Sequence, residues 1–166
     1  MTSGQVVVVG LAESPSGRAA LRWAAEHARA TGSELRAVHI LEWPIGMSRF
    51  GLSQPGESLH IPPGRIDHAY RRAVTAYFQE CRPLPTWRLL FDEGDIAQVL
   101  VREADTADLL VVGSRERMAG GRLQAGSLSH FCVRHAACPV VSVPVEYLST
   151  GGAADRADQD RLASHR

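Results

Sequence analysis

The sequence predicts an α/β domain: a five-stranded, parallel, doubly wound sheet with strand order 3-2-1-4-5. Three observations carry the prediction. Short runs of Val, Leu and Ile recur along the chain, as strands buried on both faces require. Between them lie segments whose apolar residues fall at helical spacing. The two kinds alternate, five strands with four helices, and that alternation selects parallel strands joined by right-handed crossovers.

Val6-Val7-Val8-Val9 is a continuous β-branched run and the first strand. Ser14-Pro15 then supplies an N-cap with proline at the first helical position, and Leu21, Ala24, Ala25 and Ala28 carry the helix to Gly32. Leu35 to Leu41 is the second strand. Residues 42–64 read as a long irregular connection holding four prolines and four glycines, a length that in compact domains accompanies function or mobility. The second helix shows its period at Ile66, Ala69, Tyr70, Ala73, Val74 and Tyr77, and Pro83 and Pro85 close it. Trp87 to Phe91 forms the third strand, and Asp95 caps a short helix with Val99 and Leu100 inward. Leu109 to Val112 is the fourth strand, followed by a Gly-containing stretch at 113–126. A last helix carries Leu128, Phe131 and Cys132, and Val140 to Val143 is the fifth strand. From Leu148 the composition loses all periodicity, which divides the chain into a domain at 1–147 and a disordered tail at 148–166.

Composition restricts what this domain does. Its 166 residues suffice for one core, and 45% apolar with 22% charged residues excludes disordered and fibrous classes. Eighteen basic residues balance eighteen acidic ones, without the basic excess of a general nucleic-acid binder. No apolar run approaches membrane-spanning length, and Met1 to Gln5 has no signal-peptide character. There is no Lys, which excludes Schiff-base chemistry and a Walker-type phosphate lysine, and no Asn, which excludes N-glycosylation. Cys81, Cys132 and Cys138 fit neither a disulfide framework nor a CxxC metal site. They read as reduced thiols of a cytoplasmic protein.

In the 3-2-1-4-5 order the chain reverses direction across the sheet between strands 1 and 4, so a ligand belongs beyond their carboxyl ends. The segments there are Gly10 to Ser14 and Gly113 to Ser127. Gly113-Ser114-Arg115-Glu116 follows a strand, and Gly126-Ser127-Leu128-Ser129 opens a helix. Glycines admit a ligand close to the backbone, and the amides of a helix start attract anions. A plain tight loop followed by a helix cap accounts for the same residues. Asp92, Glu93 and Asp95 match an Mg²⁺ cluster in composition, but a strand end and a helix cap explain them more simply. His39 reads as a core histidine, and no acid–base pair or activated nucleophile stands out.

At these residues the sequence resembles the universal stress protein family over 5–147. The stretches that carry the likeness are VVVVGLAESPSGRAALRWAAEHA, ADLLVVGSRE and AGSLSHFCVRHAACPVVSVP. The resemblance implies a Rossmann-like regulatory module for stress responses that binds an adenine nucleotide, dimerises through Val140–Val145 and is not an enzyme. ATP-binding members carry G-x2-G-x9-G-[ST]. Its matching positions are Gly113, Gly126 and Ser127, with Ser129 at a further hydroxyl position, while the backbone near Ile40 corresponds to the adenine-receiving edge. The implied nucleotide site thus comprises Leu11, Ala12, Ile40, Gly113, Ser114, Arg115, Glu116, Gly126, Ser127, Leu128 and Ser129, with no metal. Two positions depart from the pattern: Glu116 replaces the second glycine, and Ala12 replaces the usual Asp after strand 1. Both departures imply weakened ATP binding. The alternatives are a nucleotide-free dimeric interaction module, a phosphohydrolase and an FMN- or FAD-holding redox domain, the last on fold analogy alone.

Overall fold

The computed structural model describes residues 4–41, 63–114, 117–119, 122–124 and 126–149. Strands β1 (Val6–Gly10), β2 (Glu34–Leu41), β3 (Arg88–Glu93), β4 (Leu109–Gly113) and β7 (Val140–Val143) form one sheet in the order β3-β2-β1-β4-β7. Every neighbouring pair in it is parallel. This is the expected 3-2-1-4-5 topology, with β1 at the centre: Val7 stands between Leu35 and Leu109.

The all-valine run of β1 is explained by burial on both faces. Val7 and Val9 face helices α1 (Pro15–Thr31) and α2 (Pro63–Glu80), where Leu21, Ala24, Ala28, Val74 and Phe78 complete one core. Val8 faces α3 (Ile96–Ala104) and α4 (Ser127–His135), against Val99, Leu100 and Cys132. Ser14 caps α1 by accepting the Gly17 N–H at 3.1 Å, and Gly32 ends it in a left-handed conformation at φ 69°. Alanines at 19, 20, 24, 25 and 28 leave α1 a small-residue face, which lets it lie close on the sheet.

Three features differ from the sequence reading. The connection after β2 is shorter, because Pro63 and Gly64 already belong to α2; residues 42–62 lie outside the described residues. Between β4 and α4, β5 (Arg117–Ala119) and β6 (Arg122–Gln124) pair antiparallel in a small separate ribbon. Strands of three residues are too short to show alternation, so nothing in the sequence marks them. Lastly, Val145–Leu148 forms a 3₁₀-helix, and Leu148 packs with Tyr147 on the α1 core. The Tyr147 hydroxyl donates to Glu26, and Arg22 Nη1 donates to the Leu148 carbonyl at 3.4 Å. The described structure continues past 147 to Ser149, and the rest of the expected tail, 150–166, is outside the described residues.

Candidate functional site

The carboxyl ends of β1 and β4 splay apart around a cavity of about 770 Å³. That volume suits a small organic ligand, for which sites run to about 300–1,000 Å³. Its floor is apolar, made by Val38, Ile40, Ile96, Leu100 and Val112, and its rim carries Ser14, Ser16, Ser127, Asp95 and His130.

Close backbone packing sets the shape of the mouth. A Cβ at Gly113 would stand 2.4 Å from the Ser16 carbonyl oxygen, and one at Gly17 would stand 2.4 Å from that of Ala12. Glycine at these two positions lets the start of α1 sit directly on the ends of β1 and β4. The loop after β1 is held at both backbone groups of Leu11. Its N–H donates to the Val38 carbonyl at 2.9 Å, and its carbonyl accepts from His39 Nδ1 at 2.8 Å. Because a carbonyl only accepts, His39 Nδ1 is the donor. Nε2 is buried without a hydrogen-bond partner among the described residues. His39 is thus a core histidine, and one that ties the site loop to β2. Replacing His39 by Leu should leave the buried Leu11 carbonyl unsatisfied and cost about 1–3 kcal/mol. Urea unfolding would show this as a lower midpoint at unchanged slope.

Three helices begin at the cavity, and they differ in how their first amides are used. Ser14 caps α1, and Asp95 caps α3 by accepting the Gln98 N–H at 2.9 Å. Helix α4 starts at Gly126 with no side-chain cap. Its leading amides are the ones left for an anion, and the helix dipole favours negative charge there. Of its two serines, Ser127 is exposed, whereas Ser129 is buried and engaged. Ser129 Oγ donates to the Gly113 carbonyl at 3.4 Å and accepts from Ser142 Oγ at 3.1 Å. Ser127 is therefore the hydroxyl available to a ligand, while Ser129 ties α4 to β4 and β7.

Most residues singled out from sequence meet here. Leu11, Ala12, Ile40, Gly113, Gly126, Ser127, Leu128 and Ser129 all line the cavity. Ser114 does not: it is buried behind the mouth, and its N–H donates to the Val143 carbonyl at 2.7 Å, extending the β4–β7 pairing. Arg115 and Glu116 lie outside the described residues. Sequence reasoning missed the Ser14–Ser16 hydroxyl pair, 3.2 Å apart, and the wall formed by Asp95, Ile96 and Leu100. Asp95 was legible as a cap, but its place in the cavity lining depends on the crossover from β3.

The other chemistry in the molecule is structural. Asp92 pairs with Arg102 and accepts the Glu93 N–H at 2.8 Å, and Asp95 caps α3, so two of the three acidic side chains serve fold contacts. Among the described residues no group of three or more His, Cys, Asp or Glu is arranged to hold a metal. No described helix is long and apolar enough to cross a membrane. Burial raises all three thiols, and it pushes Cys132 from 9.0 up to about 11. The fold stabilises the neutral Cys132 thiol, so this contribution holds below pH 9 and is lost as pH rises from 9 through about 11. Iodoacetamide at pH 8.5 should accordingly label Cys132 about 100-fold more slowly in the folded than in the urea-unfolded protein, read by mass spectrometry.

Comparison with known proteins places this fold and cavity in a family. The family model "Universal stress protein family" matches residues 5–144. A universal stress protein of Mycolicibacterium smegmatis is 28% identical over 144 residues, covering 82% of this chain and 47% of its own length. The chain thus spans about half the length of the curated relatives it matches. Among solved structures, a universal stress protein in complex with cAMP shares the fold at TM-score 0.60 and 22% identity, over 85% of this chain and 97% of that one. An Arabidopsis thaliana family protein with AMP bound aligns at TM-score 0.55 and 21% identity, over 84% and 91%. The doubly wound sheet, the switch-point cavity and the family match across most of the chain agree: this protein belongs to the universal stress protein family.

Proposed function

We propose that the switch-point cavity takes an adenine nucleotide as a regulatory signal in the stress response, with ATP bound more weakly than smaller phosphates. The observation that carries this reading is the pairing of an apolar floor with the uncapped start of α4 in one cavity. A base lies on Val38 and Ile40, and a phosphate reaches the amides at Gly126–Ser129. The solved relatives with cAMP and AMP support the choice of an adenine nucleotide. We read the role as binding rather than catalysis, in the cytoplasm. Thermal shift with AMP, cAMP, ATP and FMN tests it, because a ligand stabilises the state it binds. A rise in Tm with AMP or cAMP is expected. A shift with FMN alone would overturn the reading in favour of a redox domain, and phosphate release from ATP would make the protein an enzyme.

A second reading, a dimeric module without nucleotide, draws on Ala12, whose side chain offers a ligand no acceptor. Dimerisation belongs to both readings. Strand β7 is a sheet edge, and next to it Val145 is 39% exposed. Unpaired edges need cover. Pro139 and Pro144 remove amides at both ends of the strand, so side chains from Val140–Val145 should supply much of the contact. Light scattering is expected to give twice the 18.0 kDa chain mass; a monomer at high concentration would contradict it.

A further inference from the structure

We infer that Asp95 is the specificity-determining residue of the cavity, accepting a hydrogen bond from a donor group on the nucleoside part of the ligand. The inference rests on the nucleotide reading above and adds the recognition chemistry to it. Asp95 is the one carboxylate among the described residues that line the cavity. One of its oxygens, Oδ1, takes the Gln98 N–H at 2.9 Å, and the other has no partner among the described residues. The side chain is exposed and belongs to the cavity lining, so the residue stands where a ligand enters.

Its position is set by the backbone. Gly94, at φ 132°, donates its N–H to the Leu41 carbonyl at 3.1 Å, which fastens the β3–α3 corner beside the end of β2. Asp95 then begins the helix whose next turn supplies Ile96 and Leu100 to the apolar floor. Whatever group lies on that floor lies beside Asp95. The carboxylate also orients the ligand. Two of the three helix starts are quenched by Ser14 and Asp95, and Asp95 adds negative charge at its own corner. Phosphate is therefore directed to α4, and the nucleoside is left at the Asp95 end. Ala12, also in the lining, offers no side-chain acceptor, so donors on the nucleoside have Asp95 as their ionic partner.

The donor is either the base amine or a sugar hydroxyl, and analogues separate the two. Isothermal titration would compare AMP, IMP (which lacks the amine) and 2′,3′-dideoxy-AMP (which lacks the hydroxyls) on the full chain and on Asp95→Asn. Asn caps helices as well as Asp does and turns an amide N–H₂ toward the ligand where the free oxygen stood, so the fold is retained while acceptor becomes donor. Asp95→Ser, which caps through a single hydroxyl and leaves no second oxygen, serves as the further variant. If the amine is the donor, wild type should favour AMP over IMP by about tenfold, the fold-change one charge-assisted hydrogen bond carries. Asp95→Asn should cancel or reverse that preference. If a hydroxyl is the donor, the preference appears against the dideoxy analogue and both variants lose it. Wild-type AMP binding that both variants keep within twofold, with unchanged selectivity, would overturn the role of Asp95 and leave the nucleotide reading standing. No binding of AMP by wild type would overturn both.

Discussion

Gly113→Ala is expected to destabilise the protein by about 3 kcal/mol, the upper part of the range for forced overpacking. The added methyl would stand 2.4 Å from the Ser16 carbonyl oxygen and 2.5 Å from its carbon. Both atoms are backbone, so no rotamer change relieves the clash. Either β4 bends or the start of α1 withdraws, and α1 carries Leu21, Ala24 and Ala28 into the main core. At roughly 2–4 °C per kcal/mol for a chain of this size, Tm should fall by about 6–12 °C. Gly4→Ala is the matched control, since nothing lies within 4 Å of a Cβ there, and it should melt as wild type does. A Gly113→Ala shift below about 2 °C would mean that α1 rides on the sheet more loosely than the packing indicates.

Restoring the two departures from the ATP-binding pattern should raise ATP affinity, and this is the largest binding effect expected. By the family pattern the position of Glu116 meets the phosphates, where a carboxylate would oppose a triphosphate by about 1–4 kcal/mol for unit charges ~4 Å apart in effective dielectrics of ~80 to ~20. Ala12 lines the cavity and withholds an acceptor. Ala12→Asp and Glu116→Gly should each strengthen ATP binding in calorimetry, and the double variant should exceed both, by about tenfold or more over wild type. The charge argument also predicts a dependence on phosphate number: AMP should lose less to Glu116 than ATP does. Wild-type preference for ATP over AMP by a wide margin would refute it. An inert double variant would favour the nucleotide-free module.

Much of the site was legible because its parts are local. Gly126-Ser127 marks a helix start by itself, and Ser14-Pro15 marks another. The roles within the site were less legible. Ser129 sits at a hydroxyl position of the family pattern, yet it is bonded to Gly113 and Ser142, which only the packing of α4 on β4 and β7 reveals. Ser114 adjoins Gly113 in sequence, but its backbone N–H is taken by the Val143 carbonyl and the residue is buried outside the cavity lining. The β5–β6 ribbon and the 3₁₀-helix escaped notice for a different reason: three or four residues hold too little periodicity to read.

By itself the sequence determined the five strands, the four helices, their parallel order and the end of the sheet where the cavity opens. Those follow from apolar periodicity and from the chirality of crossovers, which are properties of the chain taken in order. The tertiary structure alone decided which polar groups remain free to act. It spent Ser14 and one oxygen of Asp95 on caps and Ser129 on a strand contact, left Ser127 and the amides of α4 open, and brought Asp95 into the same cavity lining as Ala12. Availability of a hydrogen-bonding group depends on which distant residues already occupy it, and that information exists only once the chain has folded.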